Sequence, residues 1–182
     1  MNAVSLQLRM LRVEDELSFR AAFEEFKRET LPWQFAFGFD DPIDFADYVD
    51  QLLGHSRGIG IPAGWVQNTF FVGVVDGLVV GRLSLRHSLN DYLSKIGGHI
   101  GYGVIPSKRS KGYATELLRQ AIPICASLGI SKALVSCDVN NTASRKVIES
   151  CGGIFEGIVE CHDSGMPKRR YWIPTATPEN EN

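Results

Sequence analysis

The residues with the clearest chemical capacity lie in one stretch, HIGYGVIPSKRSKGYATELL at 99–118. Strand-like alternation ends at Pro106, a short basic loop with Lys108, Arg109 and Lys111 follows, and helical periodicity starts near Gly112. The first N–H groups of a helix have no intrahelical partners and carry the positive end of its dipole. Gly112 lets the backbone come close to a ligand, and the three cations add charge. Such a loop is suited to a pyrophosphate; a solvated basic helix start is the other reading. It is neither a Walker loop nor a dinucleotide fingerprint, because G-x-x-x-x-G-K-S/T and G-x-G-x-x-G are both missing.

The elements that must hold this loop are legible from hydrophobic period. Residues 5–10 alternate as a first strand, and 13–27 place Leu17, Ala21, Ala22 and Phe26 at helical spacing behind an acidic first turn. Residues 30–65 are irregular, with Pro32, Pro42 and Pro62, although 43–53 has the pattern of a short helix. This stretch holds Trp33, Phe35, Phe37, Phe39, Phe45, Tyr48 and Trp65, which predicts a packed lid rather than a linker. Two strands at 69–75 and 78–86 flank Asp76-Gly77, a hairpin signal. A third strand spans 98–105. A helix then runs from about Gly112 to Gly129, with Pro123 expected to kink or shorten it. A strand at 132–139, a helix at 142–151 and a closing hairpin of 154–161 with 169–173 complete the pattern. Three consecutive strands followed by alternation predict an α+β mixed sheet flanked by helices. One domain over 1–173 is expected, with a flexible tail at 174–182.

Composition narrows the function. The chain has 182 residues, is 44% apolar and carries a formal charge of −2, which argues against a general nucleic-acid binder. No apolar run approaches the ~20 residues of a membrane span, and the N-terminus lacks a signal-peptide core. The four cysteines (Cys125, Cys137, Cys151, Cys161) and four histidines show no metal-ligand spacing, so no metal site is expected and a reduced, cytoplasmic protein is. The small net charge hides an asymmetry. Residues 1–60 sum to −5 and residues 61–182 to +3.

The loop carries a resemblance. Arg109-x-x-Gly112-x-Ala114 is similar to the Q/R-x-x-G-x-G/A coenzyme A loop of the GNAT N-acetyltransferase superfamily. Downstream, Cys137-Asp-Val-Asn-Asn141-Thr-Ala-Ser144, running on to Gly152, resembles that family's N-x-x-A/S…G segment. The resemblance covers about 70–173 well and 1–30 only as a strand–helix pattern. It implies a mostly antiparallel sheet of about seven strands, splayed at the cofactor site and flanked by about four helices. It also implies transfer of an acetyl group from acetyl-CoA to a primary amine on a small molecule or peptide, with a homodimer possible. Carried over by residue, the pantetheine and thioester would meet the backbone of Tyr102, Val104 and Ile105. The pyrophosphate would sit on Arg109, Ser110, Lys111, Gly112, Tyr113 and Ala114, and Asn141 would cap a helix and touch the cofactor.

An alkylammonium must lose a proton before it attacks a thioester, so a base or a water chain is required. His99 is the first candidate, on one strand face with Gly101 and Gly103, where related acetyltransferases often carry a carboxylate. His87, His162, Glu156 and Glu160 are the others. The family tyrosine that protonates the departing thiolate is replaced here by Ile148. Ser144, one turn earlier, is the candidate in its place, with a water or Tyr171 as alternatives. Asp40, Asp41, Asp44, Asp47 and Asp50 would attract a cationic amine, or simply form a solvated face. Two rival readings stay open: a non-catalytic acyl-CoA-binding module, and an enzyme for another phosphate-bearing ligand.

Overall fold

The computed structural model describes residues 5–29, 34–39, 43–161 and 165–175. Its strands are β1 (Gln7–Met10), β2 (Asn68–Val75), β3 (Leu78–Arg86), β4 (Ile100–Val104), β5 (Lys132–Asp138), β6 (Ile154–Val159) and β7 (Lys168–Pro174). They form one sheet in the order β1-β2-β3-β4-β5-β7-β6, in which β4–β5 is the parallel pair and the other neighbours are antiparallel. The α-helices are α1 (Glu16–Lys27), α2 (Phe45–Ser56), α3 (Tyr113–Ser127) and α4 (Thr142–Ser150). The expected mixed α+β architecture is the one observed. At the turn between β2 and β3, Asp76 and Gly77 both have positive φ (50° and 77°), as a two-residue hairpin of the favoured hand requires.

A core lies on each face of the sheet. On one, Leu117, Leu118, Ala121 and Cys125 of α3 and Ile148 of α4 pack on Leu83, Leu85, Ile100 and Val135. On the other, Phe19, Ala22 and Phe26 of α1 join Phe35, Phe39, Phe45, Tyr48 and Phe70. The Phe19 ring lies 5.2–6.2 Å from five other aromatic rings. Most of the aromatic segment is therefore interior packing rather than the expected lid, with Phe37 half-buried and Trp65 exposed; Trp33, Asp40 and Asp41 fall outside the described residues. The buried face of α1 also differs from the expected one. Leu17 is 87% exposed, and Asp15, Phe19, Ala22 and Phe26 point inward. Asp15 is drawn in because it grips the Arg9 guanidinium at 2.6 and 2.7 Å and accepts the Arg12 N–H, tying the turn before α1 to β1. Pro123 does not shorten α3: it lies on the exposed side, where a missing N–H needs no protein partner. Past α4, β7 continues through Pro174, and Thr175 is buried against Ile130, two residues into the stretch read as tail.

What shapes the site is where the central pairing stops. β4 and β5 meet only at Ile100 and Val135, with His99 N–H donating to Leu134 O beside them (2.7 Å), and further along they are unpaired. Gly98 sets this junction. Its φ of 67° and ψ of −177° are a region open essentially to glycine, and a Cβ there would lie 2.5 Å from Leu134 O. Gly98→Ala should cost about 3 kcal/mol, read in thermal unfolding as a Tm lower by roughly 10 °C. An unchanged Tm would show that the junction can adjust.

Candidate active site

Pairing with β3 determines which backbone groups of β4 are free. Arg86 N–H donates to His99 O (2.8 Å) and Ile105 N–H to Val80 O (3.0 Å), in one unbroken register. Antiparallel alternation then turns the His99 carbonyl, the backbone groups of Gly101 and Gly103, and the Ile105 N–H toward β3. Tyr102 and Val104 face the other way, into the gap left by β5. This corrects the expectation for Ile105. Its N–H is spent on Val80, its carbonyl accepts Lys108 N–H (3.0 Å), and its side chain is in the second core.

The gap opens into a cleft of about 680 Å³, lined along β4 from Ile100 to Val104, by the loop and start of α3, and by the start of α4. In the loop, Ser110 (φ 60°) and Gly112 (φ 81°) adopt left-handed conformations that turn the chain into α3. The first donor within α3 is Glu116 N–H, to Gly112 O (3.1 Å), so the N–H groups of Tyr113, Ala114 and Thr115 precede the helical ladder. Lys108, Arg109, Ser110, Gly112, Tyr113 and Ala114 line the cleft; Lys111 is exposed and does not. Arg109 is committed within the protein. Its Nε donates to Val104 O (3.0 Å) and its two terminal nitrogens to Glu29 (2.6 and 2.7 Å). Glu25 accepts both the N–H and the hydroxyl of Ser107, so the end of α1 holds the loop at two points.

At the start of α4, Asn141 is the expected cap, its Oδ1 accepting Ser144 N–H (2.9 Å). The Ser144 hydroxyl lies 2.8 Å from the Tyr102 hydroxyl, and both residues line the cleft. Burial pushes the Tyr102 phenol well above its ordinary value, which keeps it protonated. Ile148, one turn after Ser144 on α4, is fully buried in the first core and does not line the cleft.

The chain resembles known proteins in sequence and in shape. The acetyltransferase (GNAT) domain family matches residues 5–154. The chain belongs to the GNAT acetyltransferase family. No curated protein matches it in sequence. Among solved structures, RimJ of Mycobacterium smegmatis in complex with CoA-disulfide is 22% identical, with a TM-score of 0.68 over 93% of this chain and 81% of that one. The ribosomal-protein-S5-alanine acetyltransferase of Vibrio fischeri is 17% identical, with a TM-score of 0.72 over 93% of each. The putative acetyltransferase yncA of Salmonella typhimurium, with acetyl-CoA, is 14% identical, with a TM-score of 0.62 over 98% of each. These likenesses establish the fold.

The histidine expected to be the base of this GNAT domain is placed otherwise. Leu134 N–H donates to His99 Nδ1 (2.9 Å), which fixes the neutral tautomer with its proton on Nε2 and occupies the one basic lone pair. The ring packs beside Trp172, does not line the cleft, and is held below its ordinary pKa by burial and by the Arg86 charge. His99 is thus a strap across the β4–β5 junction. The other candidates are also engaged elsewhere: His87 with Thr69, Glu156 with Trp172 and Arg170, and Tyr171 with Glu149. Glu160 does not line the cleft, and His162 is outside the described residues. The carboxylate that does line it, Asp138, is ion-paired with Lys168. Among the described residues, no cluster of His, Cys, Asp and Glu could hold a metal ion.

Asp44, Asp47 and Asp50 are exposed on and beside α2 and do not line the cleft, so they form a solvated face. The cleft instead receives Arg82 and Arg86 from β3, with Phe37, Tyr92 and a π-helical turn at Leu93–Gly97. These residues were missed by sequence reading. The available signal was a pair of arginines on one face of an otherwise apolar strand.

Because His99 titrates below its unfolded value, the folded chain takes up that proton later than the unfolded one. Its contribution to stability is full above about pH 6.5 and is lost as pH falls through the lower native value. His99→Asn should therefore flatten the decline of Tm as pH falls below about 6.5. The same slope in both proteins would assign the acid sensitivity to other groups.

Proposed function

We propose that the protein transfers an acetyl group from acetyl-CoA directly to a primary amine. The observation that carries this is the backbone of Tyr102 and the N–H of Val104, left without a strand neighbour and opening onto the free N–H donors at the start of α3. Acetyl-CoA supplies the activated acyl group. Tyr102 and Val104 would hold the pantetheine as a missing strand would be held, and the Val104 N–H would polarise the thioester carbonyl. Gly112, Tyr113 and Ala114 would present backbone N–H groups to the pyrophosphate, with Lys108 and Ser110 beside them. Ser144, oriented by the Tyr102 phenol, would donate a hydrogen bond to the departing thiolate, which takes its proton from water in the open groove. Asn141 fixes Ser144 by capping α4.

Among the described residues, no unpaired carboxylate or histidine lines the cleft, so the amine proton leaves through water in the open groove. The cysteines fit direct attack: Cys125, Cys137 and Cys151 are all pushed up by burial, which leaves little thiolate to carry an acyl group. Arg109 acts through its grip on the loop. The names of the solved relatives include enzymes acting on a ribosomal protein, which supports an amine acceptor without identifying it.

Thiol release from acetyl-CoA in the presence of a primary-amine panel tests the reading. Release with some member is expected, and CoA binding without release from any would make the chain a binding module. Tyr102→Phe and Ser144→Ala should each lower kcat roughly 100-fold at unchanged CoA affinity, the low end of general acid–base contributions. Glu29→Gln should weaken acetyl-CoA binding no more than about fivefold, since the Arg109 pair is partly exposed. Tighter binding in that variant would mean that Arg109 contacts phosphate itself once released.

A further inference from the structure

The acceptor end of the cleft has the opposite charge from the one an alkylammonium alone would select. Arg86, at the end of β3, is half-buried, and its guanidinium lies against β4 at Gly101. A Cβ on Gly101 would come within 3.1 Å of one terminal nitrogen and 3.5 Å of the other, so the missing side chain makes room for the cation. A guanidinium has five N–H donors. The oxygen it meets within the protein is Gly97 O, at the limiting distance of 3.5 Å, and among the described residues no carboxylate pairs with it.

Arg82 lies four residues earlier on the same face, over the Phe37 ring (5.4 Å). It donates to the Ser84 hydroxyl (3.1 Å), Gln34 O (2.6 Å) and Gly101 O (3.4 Å). Burial and the neighbouring Arg86 charge bring it down to about 9. Two cations thus share one poorly hydrated pocket, and Arg86 still has donors to offer a ligand.

We propose that the acceptor is a small zwitterion whose anionic oxyacid group, a carboxylate or a phosphate, is bound by Arg86 with Arg82 behind it. This rests on the acetyl-transfer reading and adds the class of acceptor. Gly101 precedes Tyr102 by one residue and Val104 by three. The strand rise therefore puts Gly101, and the guanidinium against it, about 3–10 Å along β4 from the backbone that would hold the thioester. Amine and anion are then a few bonds apart, as in an amino acid, a short peptide or an aminoalkyl phosphate. A protein α-amine followed by neutral backbone lacks the required group. The same cations favour the neutral form of a nearby amine, which eases its deprotonation where no protein base is available.

The test compares matched amines on the wild-type protein with saturating acetyl-CoA, following thiol release. The pairs are β-alanine with β-alaninamide, and phosphoethanolamine with ethanolamine. The anionic member of one pair should be favoured at least tenfold in kcat/KM, and the better pair tells carboxylate from phosphate. Arg86→Gln should remove the preference, the loss falling on KM for the anionic member, and Arg86→Lys should restore part of it. Equal or better use of the neutral members would overturn the proposal and leave acetyl transfer standing. If no amine released thiol, acetyl transfer would fall. Calorimetric binding of the same pairs to the CoA-loaded wild-type protein would then decide, with equal affinities overturning the proposal. The wild-type comparison does not depend on either variant folding.

Discussion

Backbone groups deprived of a strand neighbour are the constraint on which this molecule depends. A sheet of seven strands is normally closed by continuous pairing, and here the central pair separates after one bridge, between Ile100 and Val135. Gly98 and the imidazole of His99 hold the two strands together at that bridge, and nothing pairs them beyond it. Unpaired N–H and C=O groups in a protein interior are costly. Tyr102 and Val104 avoid part of the cost by facing a groove that admits water or a ligand, and Arg109 covers the Val104 carbonyl.

The loop before α3 shows how the fold concentrates positive potential without leaving every cation free. Glu25 and Glu29, at the end of α1, hold Ser107 and Arg109, so helices on opposite faces of the sheet are joined through the loop. What remains for an anion is the set of helix-start N–H groups and Lys108. Fixed dipoles of this kind need no reorganisation when charge arrives, whereas a mobile arginine would lose side-chain freedom on binding.

Much of the fold was legible in the sequence because its signals are local. Asp76-Gly77 demanded a hairpin, Gly112 and Gly129 bracketed α3, and every predicted strand appeared within a few residues of its place. The shortfalls required knowledge of partners. Leu17 has the spacing of a core residue, yet α1 turns Phe19 inward because five other rings are there to receive it. His99 has the right residue type for a base, but its Nδ1 is taken by an amide 35 residues away. The phenol of Tyr102 meets Ser144 across 42 residues, and the π-helical turn at Leu93–Gly97 has no periodicity that distinguishes it from a loop. The loop of the cofactor site was readable as a contiguous motif. The pocket around Arg82 and Arg86 was not, since it is assembled from β3, the π-helical turn and Phe37 of the aromatic segment.

The sheet's two cores have a consequence for how such a protein can diversify. The α3–α4 face carries the nucleotide-type loop and the capped serine; the α1–α2 face supplies Phe37 and the packing beneath Arg82 and Arg86. Away from the Glu25–Ser107 and Glu29–Arg109 contacts that join the two faces, the sheet keeps substitutions on one face far enough from the other for their effects to be nearly independent. Selection can rework the pocket side through many intermediates while the side that handles the common donor stays under its own unchanged requirements. A lineage built this way can change what it modifies without relearning how.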